Sequence, residues 1–233
     1  MIIAIDTSTS TAGLAVMQDE KVLAEMSWHC GQNHTTQLLP ALSFILKQLK
    51  LALSDAQGIV VARGPGSYNG LRVGLGTAKG LAYSLNIPLV GISTLAAESF
   101  QAASAAPGLP VCAVMNAGRG EIAAAVYHQD GGSWLPVVPE HLATVASLCL
   151  SIKAATIFCG EYLPVVSAEI QQRLVEKAIL VSGAALIRRA SFLAELGNRR
   201  LRSHDYDDPA VLQPLYLRAP SITQPKEPYL ERK

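Results

Sequence analysis

The chain has 233 residues, 50% of them hydrophobic and 16% charged, with a formal net charge of +1. This composition is sufficient to bury a core in one large domain or two small ones, and the near-neutral balance argues against a strong polyanion binder. The run 1–6 has no basic segment and ends in Asp6, so it predicts a strand and not a signal peptide. No apolar run approaches the roughly 20 residues that span a membrane. Four cysteines without close spacing favour buried thiols of a cytoplasmic protein over disulfides or zinc.

The first predicted elements are three strands within residues 1–28, with a hydroxyl-rich turn at 7–11 and a polar hairpin at 18–21. A helix is predicted at 34–49 because its apolar residues recur at helical spacing. These residues are Leu38, Leu39, Leu42, Ile45, Leu46 and Leu49.

The most unusual stretch, 63–82, follows a predicted strand at 58–62 and precedes another at 87–92. Its early glycines and proline predict a sharp turn into a helix, which Ser67 or Asn69 can cap. In that helix small residues fall four apart and form a stripe. The stripe is Gly70, Gly74, Ala78 and Ala82, and Gly76 and Gly80 lie beside it. Because each helical glycine costs roughly 1 kcal/mol against alanine, the stripe predicts close contact, either with a partner or with the chain's own sheet or first helix.

The segment 111–138 repeats the order of strand, turn, strand, hairpin and strand found in residues 1–28. Further predicted elements are helices at 94–105, 141–150, 163–174 and 183–196, strands at 155–159 and 178–181, and a helix stop at Gly197 and Asn198. The repeated order predicts an α/β protein with the duplicated ribonuclease-H-like (actin-like, ASKHA) fold, in which two small lobes each contain a mixed sheet and helices. We expect the lobes at 1–106 and 107–218 and a C-terminal tail at 219–233.

In the actin-like fold, an aspartate that ends the first strand faces a nucleotide phosphate, and Asp6 has that position here. The glycine-rich turn can also hold an anion through backbone N–H groups at the start of the helix. The candidates for cofactor binding are Asp6, Thr7, Ser8, Gly64, Gly66 and Ser67. The turn lacks the Lys-Ser/Thr pair of a P-loop and the spacing of the dinucleotide fingerprint. The alternative is a tight strand-to-helix turn, with Asp6 capping its own loop.

No catalytic or metal-binding residue is predicted. Ser67 lacks the GxSxG context of a nucleophile elbow, which argues against a peptidase, and the five histidines show no HxxxH or HExxH spacing. A basic cluster in the second half comprises Arg188, Arg189, Arg199, Arg200 and Arg202. It fits either a solvated helix end that complements the helix dipole or a handle for RNA phosphates.

Several segments resemble the bacterial TsaB (YeaZ) family. They read IAIDTS at 3–8, HTTQLLP at 34–40, RGPGSYNGLRVG at 63–74 and PLVGISTL at 88–95, with later matches at 120–121 and 214–218. Asn116 and Gly118 depart from that family, which usually has Asp and often Arg at these positions. Thr94 and Glu98 stand where the catalytic paralogue, TsaD, carries two metal-binding histidines. Metal-dependent transfer chemistry is therefore not expected of this chain.

The resemblance implies a non-catalytic paralogue of TsaD, the enzyme that transfers a threonylcarbamoyl group to the tRNA adenosine beside the anticodon. It implies that the first two helices bind a TsaD-type protein, that a TsaE-type ATPase joins the pair, and that tRNA contact is indirect or weak. The same helices could form a homodimer, and ATP or ADP with Mg²⁺ would bind only within the complex. The expected interface residues are His34, Leu38, Leu42, Gly70, Gly74, Ala78 and Ala82.

The alternative function is a small-molecule kinase or ATPase of the same fold, which would use Asp6 and the turn at 64–70 on ATP. Such enzymes need a second phosphate loop and a catalytic aspartate in the second half, and the segment 116–118 supplies neither. The sequence therefore favours a scaffold or activator subunit that binds and orders the TsaD-type enzyme.

Overall fold

The computed structural model describes residues 1–104 and 107–218, so the predicted tail at 219–233 lies outside the described residues. A first mixed sheet contains β1 (Ile2–Asp6), β2 (Thr11–Gln18), β3 (Lys21–His29), β4 (Gly58–Gly64) and β5 (Leu89–Ser93). Its strand order is β3-β2-β1-β4-β5. β1 is antiparallel to β2 and parallel to β4, so the first hairpin continues into a parallel half-sheet.

A second sheet contains β6 (Val111–Gly118), β7 (Glu121–Asp130), β8 (Ser133–Ala143), β9 (Thr156–Cys159) and β10 (Ala178–Leu180). Its order is β10-β9-β6-β7-β8, which repeats the order of the first sheet when read from the opposite edge. Here too the first strand of the unit, β6, is antiparallel to its hairpin partner and parallel to the following strand. The predicted internal duplication is therefore confirmed.

Six α-helices in the described ranges cover these sheets. They are α1 (His34–Leu49), α2 (Tyr68–Leu85), α3 (Thr94–Ala103), α4 (Val145–Ser151), α5 (Leu163–Leu174) and α6 (Ala190–Arg202). Helices α1 and α2 pack on one face of the first sheet, whereas α4 and α5 pack on one face of the second. Helix α3 contributes to the apolar clusters on the inner faces of both sheets, so it joins the two halves of the molecule.

The sequence predicts the first two helices well, because both have an apolar stripe and a clear end. In α1 the buried residues Leu38, Leu42 and Ile45 follow helical spacing, but Leu39 faces outward. Helix α2 begins after Ser67, whose hydroxyl accepts a hydrogen bond from Gly70 N at 3.2 Å. It ends at Asn86, which adopts a left-handed conformation with φ of 53°.

The last helix differs from the prediction. Gly183–Leu186 forms a short 3₁₀ turn, and α6 starts later and continues through Gly197. A Cβ at Gly197 would overlap the side chain of Val60 on β4, so this glycine permits close packing and does not stop the helix. Helix α6 thus packs on the first sheet. The predicted division into 1–106 and 107–218 places the two sheets in different lobes, but it assigns α6 to the second lobe although the helix packs on the first sheet.

The predicted helix at 141–150 also has a different start. Strand β8 extends through Ala143, because it pairs with β7 as far as Ile122. Helix α4 begins after Thr144, whose hydroxyl accepts from Ser147 N at 3.1 Å. The predicted C-terminal part of this helix is retained.

Candidate functional site

The predicted phosphate-facing aspartate lies at the end of β1 and is buried. Asp6 Oδ1 accepts hydrogen bonds from Ser8 N at 2.9 Å and from Ser8 Oγ at 2.6 Å. Asp6 Oδ2 accepts from Arg188 Nε at 2.5 Å. Both carboxylate oxygens are therefore engaged by groups of the chain itself.

The guanidinium of Arg188 is buried where the two sheets meet. Besides Asp6 it donates to Glu161 at 2.9 Å, to Thr9 Oγ1 at 3.0 Å and to the carbonyl of Thr11 at 3.1 Å. Burial alone would lower the pKa of Arg188, but the surrounding carboxylates raise it above its ordinary value. Arg188 therefore stays charged. Because Glu161 follows β9 and Asp6 ends β1, this cation links the two halves of the molecule.

A third carboxylate, Glu98 on α3, faces the same guanidinium at 3.4 Å. Burial raises the pKa of Glu98 to about 7, and the charge of Arg188 opposes this rise. Glu98 Oε2 and Thr94 Oγ1 are buried without a hydrogen-bond partner among the described residues. Thr94 and Glu98, which the family resemblance aligned with histidines of TsaD, are thus a buried hydroxyl and a buried carboxyl with a raised pKa. No group of three or more metal-ligating side chains suited to an ion occurs within 1–104 and 107–218.

The glycine-rich turn between β4 and α2 presses against the turn that follows β1. Ser67 N donates to Ser8 O at 2.6 Å. A Cβ on Gly66 would overlap Ser8 O, and a Cβ on Gly70 would overlap Thr7 O. The absence of a side chain at these positions permits contact with the protein's own backbone. The sequence correctly predicted that the backbone of this turn comes close to another group. It did not show that this group is the protein's own backbone.

The residues predicted to hold a nucleotide phosphate are brought together, yet they do not fit that ligand. They are Asp6, Thr7, Ser8, Gly64, Gly66 and Ser67. Thr7 Oγ1 donates to Gly70 O at 2.7 Å, and Gly64, with φ of 111°, lies against the carbonyl of Leu215. Since the polar groups and the close backbone contacts are used internally, we derive no nucleotide or Mg²⁺ chemistry at this site. The tight-turn alternative describes it better.

The predicted small-residue interface is also internal. All seven expected interface residues are buried within the chain: His34, Leu38, Leu42, Gly70, Gly74, Ala78 and Ala82. A Cβ on Gly74 would overlap Thr7 Oγ1, and His34 Nε2 lies 2.7 Å from Thr9 O. The stripe thus packs on the chain's own sheet and first hairpin, which leaves the partner contact of these seven residues a prediction and favours the alternative of internal packing.

The opposite sides of the same two helices are exposed and carry large apolar side chains and open glycines among polar residues. A Cβ on Gly76 or Gly80 would have nothing within 4 Å, and Tyr83 is 86% exposed. On α1, Leu39 and Phe44 are 52% and 56% exposed. We call these five residues the outer face of α1 and α2. Two open glycines at i and i+4 leave the helix backbone accessible over about one turn.

A family model described as TsaD, tRNA N6-adenosine threonylcarbamoyltransferase, matches residues 28–225. The tRNA threonylcarbamoyladenosine biosynthesis protein TsaB of Bacillus subtilis (strain 168) is 32% identical over 220 residues, which cover 93% of this chain and 93% of that protein. The chain belongs to the TsaB family. The recognition made from the segments at 3–8, 34–40 and 63–74 is thereby confirmed.

Solved structures agree with the predicted fold. YeaZ from Pseudomonas aeruginosa superposes with a TM-score of 0.80 at 23% identity, covering 93% of this chain and 99% of that one. Component A of (R)-2-hydroxyglutaryl-CoA dehydratase from Acidaminococcus fermentans gives a TM-score of 0.51 at 12% identity, covering 84% of this chain and 96% of that one. With the duplicated sheets, these likenesses confirm the actin-like α/β fold. None of the helices in the described ranges is both long and apolar enough to cross a bilayer.

The basic cluster of this TsaB-family chain has acidic partners throughout. Arg188 is buried, so it fits neither of the two alternatives considered for the cluster, the solvated helix end or the handle for RNA phosphates. The others pair on the surface: Arg189 with Glu25, Arg199 with Glu195, Arg200 with Asp205 and Asp207, and Arg202 with Glu20. Exposed pairs of this kind add little stability, but they neutralise the helix end. The cluster is thus mainly a set of paired surface arginines.

Sequence reasoning missed the internal role of Arg188. The residues next to Arg188 in sequence are exposed or polar. Arg188 lies 182 positions from Asp6, so no local spacing connects the two residues. The one available signal was the strand-ending Asp6, because a buried carboxylate requires a counter-charge or hydrogen-bond donors.

Proposed function

We propose that this chain is a non-catalytic scaffold or activator subunit in tRNA threonylcarbamoyladenosine biosynthesis, and that it binds a TsaD-type protein through the outer face of α1 and α2. The name of its relative from Bacillus subtilis supports a role in this pathway. A family model that describes the transferase itself also matches most of the chain, which supports common descent with the proposed partner. A cytoplasmic location and a later-joining TsaE-type ATPase are parts of the same proposal.

The outer face is the observation that carries the proposal. Exposed aromatic and aliphatic side chains on neighbouring helices mark contact surfaces more strongly than isolated apolar residues do. Gly76 and Gly80 would let a partner helix approach the backbone of α2 closely, while Phe44 and Tyr83 supply apolar area. A partner with a similar helix pair could then pack against α1 and α2 as a four-helix arrangement.

The contacts of Asp6 and Ser67 support a non-catalytic role. A kinase or ATPase of this fold would need Asp6 free to act on the metal and phosphates, whereas Arg188 and Ser8 occupy its oxygens. Ser67, the serine nearest to a nucleophile motif, caps α2 through Gly70 N. These contacts weaken both the kinase alternative and a peptidase role.

The decisive variant adds a side chain to the open part of the outer face. Gly76→Leu should keep the fold, because its Cβ would point into open space and leucine favours helix by about 1 kcal/mol over glycine. It should weaken binding to the TsaD-type protein at least tenfold in calorimetry, by blocking close approach. The matched control is Ala168→Leu, which adds bulk to an exposed position of α5.

Unchanged affinity in Gly76→Leu would overturn the proposed surface. Association of the chain only with itself would identify the outer face as a homodimer interface and would exclude the proposed heterodimer. Sedimentation of the chain alone and mixed with the TsaD-type protein distinguishes these outcomes.

A further inference from the structure

An open cavity of about 480 Å³ lies apart from the outer face and from the buried contacts of Asp6. It is enclosed by the ends of β4 and β5, the β7–β8 hairpin and the last turn of α6. The side chains that matter for its chemistry are Arg63, Tyr127, Trp134, Pro136, Glu140 and Leu196. Its size is in the range of small-molecule sites, and none of the contacts proposed above uses it.

The first notable group is Arg63, which opens the glycine-rich turn. Its carbonyl accepts from Leu215 N at 2.6 Å. Its aliphatic stem lies along β5, where a Cβ on Gly91 would be 3.3 Å from Arg63 Cδ. Across the part of the chain that the structure describes, the guanidinium makes no hydrogen bond or ion pair with a side chain. Its N–H donors are therefore available to a ligand.

The second notable group is Glu140 on β8. Its Oε1 accepts from Tyr127 Oη at 2.6 Å. Although burial alone would raise the pKa of Glu140, hydrogen bonds from Ser93 and Tyr127 and the charge of Arg63 hold it below its ordinary value. Glu140 therefore stays ionised at neutral pH. The cavity wall thus holds a carboxylate and a guanidinium that act on each other electrostatically without forming a direct ion pair.

The remaining charges of the cavity are already balanced. Arg199 pairs with Glu195 at 2.8 Å, and Arg200 pairs with Asp207 at 3.1 Å and with Asp205 at 2.6 Å. What remains for a ligand is one positive and one negative group, with no net charge. A phosphate dianion would gain little from such a wall, whereas a zwitterion would match both groups.

We propose that this cavity binds a free α-amino acid with an apolar side chain. The ligand's carboxylate accepts from the guanidinium of Arg63, in the two-pronged geometry that arginine offers to carboxylates. Its ammonium group donates toward Glu140. Its side chain packs against Trp134, Pro136 and Leu196, which belong to the apolar part of the lining.

The test uses the full chain and L-leucine as the probe, with calorimetry and tryptophan fluorescence. Trp134 reports on the cavity in a Trp28→Phe background, since these are the two tryptophans of the chain. We expect saturable binding with a Kd of about 1 mM. 4-Methylpentanoate lacks the ammonium group and 3-methylbutylamine lacks the carboxylate, so each should bind at least tenfold more weakly.

Two variants locate the binding. Arg63→Gln and Glu140→Gln should each weaken L-leucine at least tenfold, whereas Arg72→Gln, which removes an exposed arginine outside the cavity, should have no effect. Absence of saturable L-leucine binding, or equal binding of 4-methylpentanoate, would overturn the proposal. Preferential binding of AMP would also overturn it and would identify an anion site instead. The ligand comparisons use the unaltered residues at 63 and 140, so they decide the matter even where a variant fails to fold.

Discussion

Removal of the buried arginine is the most informative perturbation of this fold. Arg188→Met keeps much of the side-chain volume but deletes the charge that faces Asp6, Glu98 and Glu161. The Arg188 and Asp6 side chains are each 3% exposed, and their charged atoms are 2.5 Å apart. Loss of one partner of a buried pair typically costs about 3–5 kcal/mol, because the other charge is left uncompensated. We expect a loss in this range, a large fraction of the ~5–15 kcal/mol of a typical domain.

The assay is urea unfolding at pH 7.5, followed by circular dichroism and analysed by linear extrapolation. Arg189→Met is the matched control, because Arg189 is 52% exposed and pairs with Glu25 at the surface; it should cost less than about 1 kcal/mol. The double variant Asp6→Asn/Arg188→Met should recover part of the loss, since it removes the unpaired carboxylate. Equal costs for the two single arginine variants would refute the reasoning.

Three further predictions concern protonation, packing and ligand binding. Burial raises the pKa of Glu98 from its ordinary value of 4.5 to about 7. The folded state therefore holds a proton that the unfolded state releases, and the free energy of unfolding falls by up to about 3 kcal/mol as pH rises between these values. Urea unfolding at pH 5 and pH 8 should show that this pH dependence of the free energy of unfolding is lost in Glu98→Gln and kept in Glu169→Gln. An unchanged pH dependence in Glu98→Gln would contradict the prediction. Gly74→Ala should lower the melting temperature because its methyl group overlaps Thr7 Oγ1, whereas Gly76→Ala, in open space, should raise stability by up to about 1 kcal/mol; equal melting shifts would count against the packing. Calorimetry of the isolated chain with millimolar ATP and Mg²⁺ should detect no binding, and a saturable isotherm would restore the kinase alternative.

The fold was predictable because its signals are local and repeated. Apolar runs of four to six residues identified the central strands, the leucine spacing identified α1, and the recurring strand–hairpin order indicated the duplication. The boundary errors have local causes as well. Gly197 resembles a helix stop in sequence, but it lies within α6, at a position where Val60 leaves no room for a side chain.

The site was harder to predict because sequence spacing does not reveal which surface a residue faces. The stripe at Gly70 and Gly74 and the stripe at Gly76 and Gly80 have the same four-residue period. The first stripe is buried against Thr7 and the second is open. Only the orientation of the helix on the sheet determines which stripe is buried. The occupation of Asp6 by Arg188 is a long-range contact that no local pattern encodes.

The central claim is that the outer face of α1 and α2 contacts the TsaD-type protein. A photoreactive benzoylphenylalanine at position 83, where Tyr83 is 86% exposed, tests it most directly in the assembled complex. The same probe at position 165, where Val165 on α5 is 67% exposed, is the control. We predict a cross-link to the TsaD-type protein from position 83 and none from position 165. A cross-link from position 165 without one from position 83 would contradict the claim.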